Sequence, residues 1–165
     1  MRLPRRLIVR DLGVIALALG VWRGSHVLHD AASAYAWPAA LAAGLLIPLA
    51  AFLVHEWGHL VGARASGARV VYAERIRSVF LFRFDVARND RRQFLAMSNG
   101  GFAASLLLLA LLGTRLSVRY PGDAIALGFA ALGVLATLVL EVPVAWRVWR
   151  GAALPTGAAF VSGRD

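Results

Sequence analysis

The residues with the clearest chemistry are His55, Glu56 and His59, in the run HEWGH at 55–59. On a helix, positions four apart lie one turn above each other on the same face, so the two imidazoles can share one zinc ion. Glu56, next to them, is then placed to act on a water at that ion. Zinc lowers the pKa of such a water from 15.7 to about 7, Glu56 takes its proton, and the oxygen can attack a peptide carbonyl that the metal polarises. The pentapeptide is short enough to recur by chance, and three polar groups satisfied by neighbouring helices would account for it equally well. Its surroundings decide between these readings. The run lies in an apolar stretch, where each ionisable side chain costs ~2–3 kcal/mol unless paired or wet, so three together mark a functional site.

The elements that must position these residues follow from composition. Of 165 residues, 59% are hydrophobic and 16% charged, and the mean hydropathy is +0.67. That is too little polar surface for a water-soluble domain of this size. A bilayer core takes about 20 apolar residues, and four stretches qualify in outline: 12–29, 38–63, 94–113 and 124–146. The expected fold is therefore an all-α polytopic membrane protein with about four transmembrane helices, forming one domain over 1–165. The first span is the shortest in apolar residues and contains Arg23; it reads as a retained helix because no small-residue cleavage site follows it. Pro38 suits the first turn of the second span, and Pro48 is expected to kink it. Gly100 and Gly101 allow close helix contact in the third. Trp146 and Trp149 stand where interfacial aromatics belong at the end of the fourth.

The basic residues are 18 arginines with no lysine, against 9 acidic residues, for a net charge of +9. They fall between the apolar segments, not along one helix face or beside stacking aromatics, which argues against a nucleic-acid partner and for the lipid bilayer. With four spans and the N-terminus inside, all but Arg23, Arg115 and Arg119 lie on the inner side. The positive-inside rule then puts both termini and the loop 65–92 in the cytoplasm. That loop is rich in strand formers, with period-two alternation at Arg75, Ile76 and Arg77 and again from Phe82 to Asp85. A short β-hairpin lying against the membrane is expected there. Cysteine is absent, so any metal must be held by His, Asp or Glu. His26 and His29 read as interfacial residues at the outer end of the first span, and Trp22, Tyr35, Trp37 and Trp57 as belt or packing aromatics.

The run LVHEWGHLVGARASGARV, at 53–70, resembles the metal-binding helix of the site-2 proteases, which are intramembrane zinc metalloproteases. The run RRQFLAMSNGGFAASLLLLALL, at 91–112, is similar to that family's Gly-Pro-x-x-Asn helix, with Gly100 matching, Gly101 in place of Pro and Ala104 in place of Asn. The resemblance implies zinc on His55 and His59, Glu56 as catalytic base, a membrane-protein substrate cut in or near its transmembrane segment, and residence in a bacterial cytoplasmic membrane. It also implies a substrate strand that can add to the loop hairpin, because helical carbonyls are already hydrogen-bonded and must first be unwound.

The third ligand departs from the family's pattern. Glu141 and Pro143 look like its Asn-x-Pro portion, but the Asp-Gly that supplies the family's carboxylate is missing. Depth points to Glu141, which precedes Arg147 by six residues, while His55 and His59 precede Arg64 by nine and five. At ~1.5 Å per residue, its carboxylate falls between the imidazoles in height. Asp165 is the rival if the C-terminal tail folds back, and pairing of Glu141 with Arg147 or an inner-loop arginine is the bland reading. The missing Asp-Gly also supports a competing function, a non-catalytic membrane protein of this type that binds or regulates a partner. A transporter is disfavoured because no inverted repeat is visible.

Overall fold

The computed structural model describes residues 3–155. The chain is mostly helical, in the order α1 (Arg5–Asp30), α2 (Ala36–Ala65), β1 (Val70–Tyr72), β2 (Phe82–Phe84), α3 (Arg91–Arg115) and α4 (Pro121–Ala136). A π-helical turn (Thr137–Glu141) and α5 (Val142–Trp149) follow without a break. Among the described residues, three helices are long and apolar enough to cross a membrane: Ala36–Ala65, Arg91–Arg115 and Pro121–Trp149. Large apolar side chains such as Leu107 (72%), Leu140 (68%) and Val139 (62%) stand exposed on them, which is consistent with a membrane protein whose solvent there is lipid.

The expected four spans are thus three. α1 is long, but its apolar run from Leu12 to Trp22 ends at Arg23, with Arg10 and Asp11 before it and His26 and His29 after it. Eleven helical residues cover roughly 16 Å, about half of a bilayer core.

The described chain divides into two compact units, one comprising residues 3–7, 54–104 and 136–155, the other 8–53 and 105–135. In the first, α2 stops at Gly67, whose φ of +72° suits glycine. Ala68 N–H donates to Ala63 O (2.8 Å) and Gly67 N–H to Arg64 O (3.0 Å), the paired bonds of a Schellman cap. α3 starts in a capping box, Gln93 N–H on Asp90 Oδ1 and Asp90 N–H on Gln93 Oε1, both 2.9 Å.

Between these caps lies the expected hairpin. β1 and β2 pair antiparallel, Val70 with Phe84 and Tyr72 with Phe82, and residues 73–81 form the connection, so the alternation at Arg75–Arg77 belongs to a loop and not to a strand. Period-two geometry turns Tyr72, Phe82 and Phe84 inward. They pack with Leu60, Ala63, Phe94, Met97 and Val148 into one core. Full burial of each large apolar side chain stabilises by about 1.5–3 kcal/mol, enough to pin a two-stranded ribbon that would not hold alone.

The second unit has its own small core of Ala18, Ile47, Leu116 and Ala126. Gly44 and Gly122 permit close approach there: a Cβ on Gly44 would meet Ile125 at 2.6 Å, and one on Gly122 would meet Ala40 O at 2.9 Å.

Candidate metal centre

α2 carries His55, Glu56 and His59, all buried, at 7%, 4% and 3% exposure. α3 runs against this face because both helices present small residues. A Cβ on Gly58 would lie 2.5 Å from Gly100 O, one on Gly62 2.1 Å from Ala96 O, and one on Gly100 2.3 Å from Gly58 O. The Gly58-x-x-x-Gly62 spacing is a sequence signal for such an approach, alongside Gly100 and Gly101.

Close approach brings two α3 carbonyls to the imidazoles. His55 Nδ1 lies 3.2 Å from Gly101 O and His59 Nδ1 lies 3.0 Å from Met97 O. A carbonyl only accepts, so each Nδ1 must carry the proton, and each neutral ring then presents a lone pair at Nε2. Those two lone pairs face each other at 2.9 Å. Gly101 seats the rings as well: a Cβ there would stand 2.2 Å from His59 Cε1. That is why a residue without a side chain occupies the position.

Glu141 comes to the same point from the π-helical turn. Its Oε1 is 3.5 Å from His55 Nε2 and its Oε2 is 3.3 Å from His59 Nε2. Oε2 is buried and receives no hydrogen bond among the described residues, as expected if it faces a lone pair and not an N–H. The turn has a local cause. Pro143 lacks the N–H that would bond Val139 O in a regular helix, and its ring clashes with that carbonyl. The backbone instead widens, and Val142 N–H donates to Thr137 O, the five-residue spacing of a π bulge.

With both rings neutral and protonated at Nδ1, three acceptors would converge here; their atoms lie within 4.8 Å of one another, and the group could hold a metal ion. Two nitrogens and an oxygen on a tetrahedral zinc would sit about 3.3–3.5 Å apart; the two imidazole–carboxylate distances match this, and the 2.9 Å between the Nε2 atoms is shorter. No thiolate is available, since the chain has no cysteine.

Glu56 shares the electrostatic environment of His55, His59 and Glu141, and the backbone N–H of Leu81, in the hairpin loop, donates to its carboxylate. The sequence carried no sign of that bond. The rival ligand Asp165 lies outside the described residues.

His26, expected at an interface, belongs to a separate network in the second unit. Fully buried Asp123 accepts at Oδ1 from Trp22 Nε1 and pairs there with His26 Nε2, both at 2.8 Å, and at Oδ2 from Ser117 N–H at 2.8 Å. Tyr120 stacks on His26 at 3.8 Å, and His29 meets the same ring edge-on. Trp22 is thus a half-buried hydrogen-bond donor as well as a packing aromatic. Tyr35 and Trp37 are exposed, while Trp57 packs on the first core. Compared with family models, curated proteins and solved structures, the chain matches none.

Proposed function

We propose that this chain is an intramembrane zinc metalloprotease that hydrolyses peptide bonds in or near the transmembrane segment of a membrane-protein substrate. The observation that carries the reading is the face-to-face pair of imidazole Nε2 atoms at 2.9 Å with a carboxylate beside them. Three unprotonated acceptors in a buried site repel one another unless a cation sits among them. A proton can serve one pair of them, whereas a metal ion serves all three.

The resident zinc would be held by His55, His59 and Glu141, and when bound would supply Lewis acidity at the scissile carbonyl and an acidified water. The chain's own residues supply the rest. Met97 O and Gly101 O fix the tautomer and orientation of the two rings. Glu56 accepts the proton of the attacking water and passes it to the departing amine, held meanwhile by Leu81 N–H. The hairpin has an outer edge that an unwound substrate segment can join by strand addition.

The arginine distribution supports a cytoplasmic loop 65–92. A reporter fused at Arg88 should read as cytoplasmic, and an outward reading would reverse the orientation.

Zinc stoichiometry and cleavage of a reconstituted membrane-segment substrate test the function together. Glu56→Gln should keep the metal and lose hydrolysis, and His55→Ala should lose the metal. Cleavage by Glu56→Gln at the wild-type rate would remove the mechanism; zinc bound without cleavage by the wild type would favour the non-catalytic reading.

A further inference from the structure

The hairpin presents a surface that the metal centre does not use. Arg75 and Arg77 in its loop are exposed, and Arg83 points outward from β2. Among the described residues none of these three forms an ion pair. Apolar side chains stand among them in the open, Ile76 at 51% and Val79 at 62% exposure. The three arginines line a cleft of ≈ 550 Å³ in the loop, with Glu74 the single carboxylate in its wall.

Where this surface lies follows from what the opposite face of the hairpin touches. Tyr72, Phe82 and Phe84 pack on Leu60, Ala63, Phe94 and Met97, which belong to the last turns of α2 and the first turns of α3. Both helices are long and apolar enough to cross a membrane, and as consecutive spans they open at the same face. The hairpin therefore lies alongside the helix ends, at the depth of the lipid headgroups, and not beyond them.

We propose that this outer face, Arg75, Arg77 and Arg83 around Ile76 and Val79, docks onto anionic phospholipid headgroups. The guanidinium fork matches the phosphate geometry, and an anionic leaflet concentrates such a partner next to basic segments close to a span. Ile76 and Val79 select lipid over the other anions. An acidic peptide or free phosphate would satisfy the arginines and leave both side chains in water, whereas a bilayer boundary takes up apolar groups between basic ones.

The chain has no cysteine, so Val79→Cys carries a single environment-sensitive fluorophore on the full-length protein in lipid nanodiscs. Emission should shift to the blue in discs containing phosphatidylglycerol relative to discs of phosphatidylcholine alone. The shift should vanish in Arg75→Gln/Arg77→Gln/Arg83→Gln, and inorganic phosphate or a soluble poly-glutamate peptide should not produce it in neutral discs. Identical emission in the two lipids overturns the proposal, as does an equal shift from phosphate or from the peptide. The lipid comparison uses one protein, so a folding defect in the triple variant cannot decide the outcome, and neither readout requires the chain to be a protease.

Discussion

Gly101→Ala isolates the seat of the proposed metal centre from the stability of the helix that carries it. The added Cβ would stand 2.2 Å from His59 Cε1 and 2.5 Å from its Nδ1 and Nε2, where ordinary contact begins at 3.4 Å. The His59 ring must retreat by about 1 Å, while a metal site tolerates ligand displacements of only ~0.2 Å. Retreat also breaks the bond to Met97 O, so His59 loses both its position and its fixed tautomer. Losing an orienting partner alone costs about 10–100-fold in metal affinity, and displacement of the ligand itself should reach at least the upper end, about 10²-fold. Helix propensity works in the opposite direction, since alanine stabilises a helix interior by about 1 kcal/mol over glycine. Gly113→Ala is the matched control, because a Cβ there meets nothing within 4 Å. Competition with a chromophoric chelator, on protein in detergent with thermal unfolding recorded in parallel, gives both quantities. Wild-type zinc affinity in Gly101→Ala would refute the steric reasoning and the placement of His59 in the site.

Glu141→Ala should weaken zinc binding by more than about 10²-fold, beyond an orienting loss, and removal of residues 156–165 should leave it unchanged; the reverse pattern in the same chelator competition would transfer the ligand to Asp165. Pro143→Ala restores an N–H that can bond Val139 O, so the π turn should relax toward a regular helix and zinc affinity should fall although no ligand has been altered. Cobalt substitution, read by its visible absorption, would report the changed coordination, and an unchanged spectrum would mean that the turn does not depend on Pro143. Asp123→Ala strips the acceptor from Trp22, His26 and Ser117. Trp22 and His26 are half-buried and Ser117 is exposed, so water replaces part of each loss; at about 0.5–1.5 kcal/mol for each hydrogen bond removed, the thermal midpoint in detergent should drop by a few degrees, and a midpoint equal to wild type would show that the network adds nothing to stability.

Periodicity and end signals made much of this protein legible before folding. The one-turn spacing of His55 and His59, the apolar runs around them and the strand pattern at 82–84 all depend on neighbours within a few residues, where backbone geometry alone relates one side chain to the next. Depth counting brought Glu141 near the right height because rise per residue is fixed once a chain is helical. What height cannot supply is direction around the axis. That was decided by the π turn at Pro143, and by an approach of α3 close enough for Met97 O and Gly101 O to lock both imidazoles. The shortened apolar run of α1 was visible in the sequence, whereas the partners of Asp123 were not. Trp22, His26 and Ser117 are far from it or across a turn, and nothing local links them. Contacts of this kind form only when separate helices pack, since a buried polar group takes whichever partners the packed neighbours bring within hydrogen-bond reach.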